Sequence, residues 1–168
     1  MNNGNLHNGY KSEASFKGNT ETTHNFSDIA IIGASHAGIS FANSLRKNSF
    51  SGSLTLIDRQ TGGPMERPPL SKGFLLETED KLNPKYLLKR SKWYRDERVT
   101  LKNNVIVKEI DTAKKCLNFD DGGHLKYDKL VLATGAIPRT LPASKGIKNV
   151  FVLRQPDHAV AIRNAARN

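Results

Sequence analysis

Three small residues, Gly33, Ser35 and Gly38, stand in the string GASHAG at the positions of a G-x-G-x-x-G turn, with serine replacing the central glycine. In such a turn the first position permits a sharp reversal, the second lets backbone approach a pyrophosphate, and the third lets a helix pack closely on a strand. The turn follows the apolar run Asp28 to Ile32 and leads into a helical pattern, so the N–H groups of the helix start, Ala37 among them, would face an anion. On its own the string also fits an ordinary glycine-rich loop.

Other residues fall where the same chemistry needs them. Asp58 closes the second apolar run, LTLI, and lies 20 residues past Gly38, where a dinucleotide fold carries an acid that accepts hydrogen bonds from a ribose. A carboxylate there repels a 2′-phosphate, which favours FAD or NAD over NADP. An Asp that merely starts a turn is the competing reading. Arg67 and Lys72 flank the string RPPLSK, whose prolines predict the start of a short helix. They are either pyrophosphate partners or surface charges on a proline-punctuated loop.

The elements that must hold these groups read as α/β. Asp28 to Ile32 and Leu54 to Ile57 are predicted strands of a parallel sheet buried on both faces. The helix between them presents Gly38, Phe41, Ala42 and Leu45 on one face. Lys81 to Arg95 is predicted as a helix packed through Tyr86, Leu87, Trp93 and Tyr94. Strands follow at Val99 to Leu101 and Val105 to Ile110, then at Cys116 to Phe119 and His124 to Tyr127, the last two joined by a DDGG hairpin. Leu130 to Ala133 is predicted as a buried strand turning at Thr134 and Gly135, at the sheet end where open parallel sheets bind ligands. A strand at Val150 to Arg154 and a helix at Pro156 to Arg167, apolar at Ala159, Val160, Ile162 and Ala166, complete the chain.

GASHAG, LTLID, ERPPLSK and YDKLVLATGAIPR, at these distances, resemble the FAD-dependent pyridine-nucleotide oxidoreductases of the ferredoxin and rubredoxin reductase type, to which the apoptosis-inducing-factor flavoproteins are related. The resemblance covers Ser27 to about Arg163. It implies a Rossmann-like FAD-binding domain with a small antiparallel β-meander as crossover. Lys72 then matches a lysine beside the flavin, Arg67 an arginine near the pyrophosphate, and Val107 a residue whose backbone contacts the adenine. Thr134 and Gly135 form the A-T-G turn near the cofactor, Arg139 is a phosphate or flavin neighbour, and Arg154 approaches FAD. Two departures stand out: Met65 replaces the usual tyrosine, and Arg59 and Gln60 occupy the positions where the family usually has its ribose acid.

The resemblance further implies NADH or NADPH as electron source and a ferredoxin- or rubredoxin-like carrier as acceptor. The nicotinamide-binding and C-terminal domains of the family have no counterpart in the 168 residues, so the chain reads as the N-terminal portion of such an enzyme, unable to turn over alone. A non-catalytic nucleotide-binding fragment and a single-Rossmann NAD-dependent dehydrogenase are the alternatives. The latter requires a Tyr or Ser with Lys constellation that is not legible. The single Cys116 excludes internal dithiol chemistry in this segment. A net charge of +10 is compatible with an acidic partner or a polyanionic cofactor; the basic residues carry no interleaved aromatics or nucleic-acid motif. Residues 1–26 read as a polar, disordered tail with no signal peptide, and no run is long and apolar enough to span a bilayer, so the expected compartment is the cytoplasm.

Overall fold

In the computed structural model, residues 27–78 and 83–167 are described. The N-terminal tail expected at 1–26, and the start of the helix expected at Lys81, lie outside them.

The chain builds a four-stranded sheet in the order β3-β2-β1-β7, all parallel, from β1 (Ile29–Ile32), β2 (Leu54–Ile57), β3 (Val99–Lys102) and β7 (Lys129–Leu132). Continuous apolar runs suit the two inner strands because both of their faces are covered. On one face Ile29, Ile31, Leu54 and Leu56 pack against Ile39 and Ala42 of α1 (His36–Lys47), with Trp93 and Tyr94 of α2 (Ser91–Asp96) at the margin. On the other, Ala30 and Ile57 meet Leu117, Phe119 and Tyr127. Those residues belong to or flank a separate antiparallel meander of β4 (Val107–Asp111), β5 (Cys116–Phe119) and β6 (His124–Lys126). Its hairpin closes as the glycines require, with Gly122 at φ +84° and the Gly123 N–H donating to Asp121 Oδ1 at 2.8 Å.

A third cluster, Met65, Leu70, Phe74 and Ala159, joins the proline-led 3-10 turn Pro68–Ser71 to α3 (Pro156–Arg167).

Several expectations are corrected. The predicted helix from Lys81 to Arg95 is not continuous over its described part: Pro84–Tyr86 is a 3-10 turn, Leu87 is extended and bridges Met65, and only Ser91–Asp96 is α-helical. Asn83 explains the break, since its side chain accepts the Lys85 N–H and Pro84 has no N–H to propagate a helix. Val105 lies before β4, held by its N–H on the Asp58 carbonyl. The predicted strand Val150 to Arg154 has no ladder partner and is not a strand. β7 pairs only with β1 among the described residues, so Leu132 is 64% exposed instead of buried. Phe41 is exposed because α1 meets the sheet through Gly38, Ile39 and Ala42. On α3, Ala166 is exposed and Arg163 is buried in its stead.

The α1 start is where packing is tightest. A Cβ on Gly38 would lie 2.0 Å from the Gly33 carbonyl oxygen, and one on Gly33, at φ +106°, 2.2 Å from that of Ala133. Gly38→Ala is therefore expected to cost about 3 kcal/mol of stability. Ser35→Ala should shift it by under about 0.5 kcal/mol, because the Ser35 side chain makes no capping bond. Urea denaturation of both variants against the parent checks the contrast.

Candidate functional site

At the carboxyl ends of β1, β2 and β7 lies a cleft of about 850 Å³. Gly33, Ser35 and Ala37 form its floor. The Gly33 N–H continues the ladder to the Ile57 carbonyl at 2.8 Å, and the Ala34 N–H donates to Asp58 Oδ2 at 3.3 Å. The Ile39 N–H takes the Ser35 carbonyl at 2.9 Å, so the first α-helical bond of α1 spans Ser35 to Ile39. The N–H groups of His36, Ala37 and Gly38 are left without a protein acceptor among the described residues, at the positive end of a 12-residue helix. Gly38 does not line the cleft; it is buried behind the turn and brings the helix start against β1.

Asp58 does start a turn. Its Oδ1 accepts the Gln60 N–H at 3.1 Å while Oδ2 accepts that of Ala34, so the carboxylate ties the end of β2 to the glycine turn. Each oxygen retains further acceptor capacity, and Asp58 lines the cleft. Arg59 and Gln60, at the positions of the usual acid, line the cleft beside it.

Arg59, Arg67 and Arg154 supply the positive charge. Burial, and next the neighbouring Arg154, push the Arg67 guanidinium below its usual range, with Asp58 offsetting part of this. A Cβ on Gly135 would sit 3.2 Å from Arg154 Nη2, so the glycine, at φ +68°, clears the approach of that guanidinium to the turn after β7. Thr134 and Gly135 line the cleft, as does Val107 with Val105 and Ile106 from the chain entering the meander. Lys72 and Arg139 do not. Lys72 is exposed and its Nζ donates to Ser71 Oγ at 3.1 Å, and Arg139 points from an exposed loop.

The arrangement is a trough with polar N–H donors and three arginines, Arg59, Arg67 and Arg154, along one part and apolar walls along the rest. Those walls include Ile32, Leu132 and Ile137, with the last two 64% and 71% exposed. They were not legible as site residues, since in sequence they look like core. Their signal is the exposure itself, together with Gln155 next to Arg154. A diphosphate carrying planar aromatic groups matches this division of polar and apolar surface. No helix among the described residues is long and apolar enough to cross a membrane.

Residues 27–168 match the family profile described as pyridine nucleotide-disulphide oxidoreductase. The chain is 36% identical over 138 residues to the ferredoxin–NAD(+) reductase component of a 3-phenylpropionate/cinnamic acid dioxygenase from Photorhabdus laumondii, covering 82% of this chain and 34% of that protein. It is 35% identical over 137 residues to a rubredoxin–NAD(+) reductase of Pseudomonas putida, covering 80% and 35%. Among solved structures, the covalent putidaredoxin reductase–putidaredoxin complex superposes with a TM-score of 0.74 at 31% identity, over 83% of this chain and 34% of that one. The chain thus spans about a third of the length of the curated relatives it matches.

Asp58→Ala is expected to lower stability by about 1–3 kcal/mol, because the Ala34 and Gln60 N–H groups lose their acceptor. Asp58→Asn, which keeps one carbonyl oxygen, should fall between that variant and the parent in the same denaturation measurement.

Proposed function

The chain belongs to the pyridine nucleotide-disulphide oxidoreductase family, and from that membership and the cleft we propose that it binds FAD as part of an NAD(P)H-dependent reductase serving a ferredoxin- or rubredoxin-like carrier. The observation that carries the reading is the meeting of the unpartnered His36 and Ala37 N–H groups at the α1 start with the Arg67 and Arg154 guanidinium groups, in a cleft whose other walls are largely apolar. A pyrophosphate answers both features, and its adenosine and flavin arms answer the apolar walls.

In this reading His36 and Ala37 donate backbone N–H groups to the pyrophosphate. Arg67 and Arg154 neutralise it, and Ser35 keeps the turn narrow enough for close approach. Asp58 retains the acceptor capacity for a ribose hydroxyl. Val107 borders the adenine, and the Thr134–Gly135 turn borders the flavin arm. Lys72 and Arg139, which the resemblance also assigns to the cofactor, lie outside the cleft lining and need a side-chain rotation or loop shift to reach it. When bound, FAD supplies the redox chemistry, accepting two electrons from a nicotinamide and releasing them singly. The net charge of +10 favours encounter with an acidic carrier protein.

Titrating the purified chain into FAD is expected to quench flavin fluorescence. Arg67→Ala and Arg154→Ala should each weaken binding about 10- to 100-fold, since each removes a charge-assisted contact to phosphate, while leaving the melting temperature within a few degrees of the parent. Absence of quenching by a protein that shows a cooperative unfolding transition would overturn the reading.

A further inference from the structure

Arg154 reaches the cleft from a stretch of chain with no sheet to hold it. Val150, Phe151 and Leu153 are exposed and have no ladder partners among the described residues, and α3 begins two residues after Arg154. What fixes the backbone at Arg154 is a hydrogen bond from its N–H to Nδ1 of His158, 3.2 Å long. His158 is the third residue of α3. A side chain at that position ordinarily returns to the N–H of the residue capping the helix. Here the capping residue is Gln155, whose carbonyl accepts the N–H groups of His158 at 3.1 Å and Ala159 at 3.3 Å, while the imidazole reaches one residue further back, to Arg154.

The helix that carries His158 is itself anchored to the other arginine's segment. Ala159 is fully buried against Leu70 and Phe74, and Arg163 Nη1 donates to the carbonyls of Phe74 at 3.2 Å and Glu77 at 2.7 Å. That segment begins at Arg67 with the turn Pro68–Ser71. Two of the cleft arginines, Arg67 and Arg154, are therefore referred to one rigid element. Arg67 is referred through the face of α3 around Ala159 and Arg163, and Arg154 through His158 at its start. Two like charges side by side repel, so their separation must be imposed by the chain around them.

We propose that His158 is a positioning residue for anion binding: by accepting the Arg154 N–H it sets the course of the chain from which the Arg154 guanidinium extends over the Gly135 turn beside Arg67, and pyrophosphate binding depends on it. The bond requires an unprotonated Nδ1, with the ring proton on Nε2. Nothing in this role touches the cofactor directly. The proposal rests on the FAD reading for its ligand but not for its geometry.

The test uses the full chain with two substitutions. His158→Asn places Oδ1 where Nδ1 stood and keeps an acceptor; His158→Leu keeps bulk and removes it. FAD affinity is read by flavin fluorescence, and exchange of the Arg154 backbone amide is read by NMR without ligand. His158→Leu is expected to weaken FAD binding about tenfold and to speed Arg154 amide exchange by a similar factor, and His158→Asn to restore both to within about threefold of the parent. FAD binding by His158→Leu at the parental affinity would overturn the proposal. Equal loss in both variants would also overturn it, since imidazole packing alone would then be responsible. If the parent chain does not bind FAD, the functional reading falls by itself and the Arg154 amide decides. Unchanged exchange in His158→Leu rejects the role of His158, and faster exchange rescued by His158→Asn upholds it.

Discussion

The close approach of the α1 start to the end of β1, and of the glycine turn to the end of β7, is the constraint from which the remaining geometry follows. Gly33 and Gly38 leave no room for a Cβ against backbone carbonyl oxygens, so helix and sheet meet at backbone contact. With the helix drawn in this far, its first N–H groups lie at the carboxyl edge of the sheet instead of above it. Ser35 fits between the glycines because its backbone is extended there, a conformation that does not call for glycine. A strict glycine pattern is thus required only where two backbones touch.

Around that contact the fold separates its tasks by face. One side of the sheet is closed by α1 and the aromatic pair Trp93 and Tyr94, whose rings meet edge-on at 5.1 Å. The Tyr94 hydroxyl is buried there and, chiefly through that burial, its pKa is pushed up to about 12, so it stays neutral beside the core. The other side is closed by the meander, whose entering chain supplies Val105, Ile106 and Val107 to the cleft wall. Asp58 holds the end of β2 to the glycine turn through the Ala34 N–H, and its backbone carbonyl accepts the Val105 N–H where the chain enters the meander. A carboxylate that looks in sequence like a ligand is thereby also a structural tie, and the two uses are compatible because it has acceptor capacity to spare.

The charged side of the cleft depends on a third packing unit that lies away from the sheet. Met65, Leu70 and Phe74 bury Ala159 of α3, and the Arg163 guanidinium passes over the Phe74 ring at 6.0 Å to reach main-chain carbonyls. A buried arginine is tolerated when it donates to oriented carbonyls, and two such bonds across just over half the chain length bind α3 to the segment that follows the proline turn. This small unit gives Arg67 and Arg154 a shared frame, although they are 87 residues apart in sequence.

The sequence by itself determined the parallel sheet, the glycine turn, the meander hairpin and the carboxyl-edge location of Gly33, Ser35, Asp58, Thr134 and Gly135. Each follows from local rules: apolar runs of strand length, glycine where backbones meet or φ is positive, and an acid at the end of the second strand. Tertiary structure alone decided three other matters. It showed that Lys72 and Arg139 lie off the cleft while Arg59, Gln60 and Gln155 line it, because loop courses depend on what they pack against. It put Arg163 inside and Ala166 outside, because carbonyls from residues 74 and 77 outweigh the polarity of a side chain that reads as surface. It also left Leu132, Val150, Phe151 and Leu153 exposed, because burial of an apolar run requires a neighbour on each side, and that neighbour is a property of the assembled fold and not of the run.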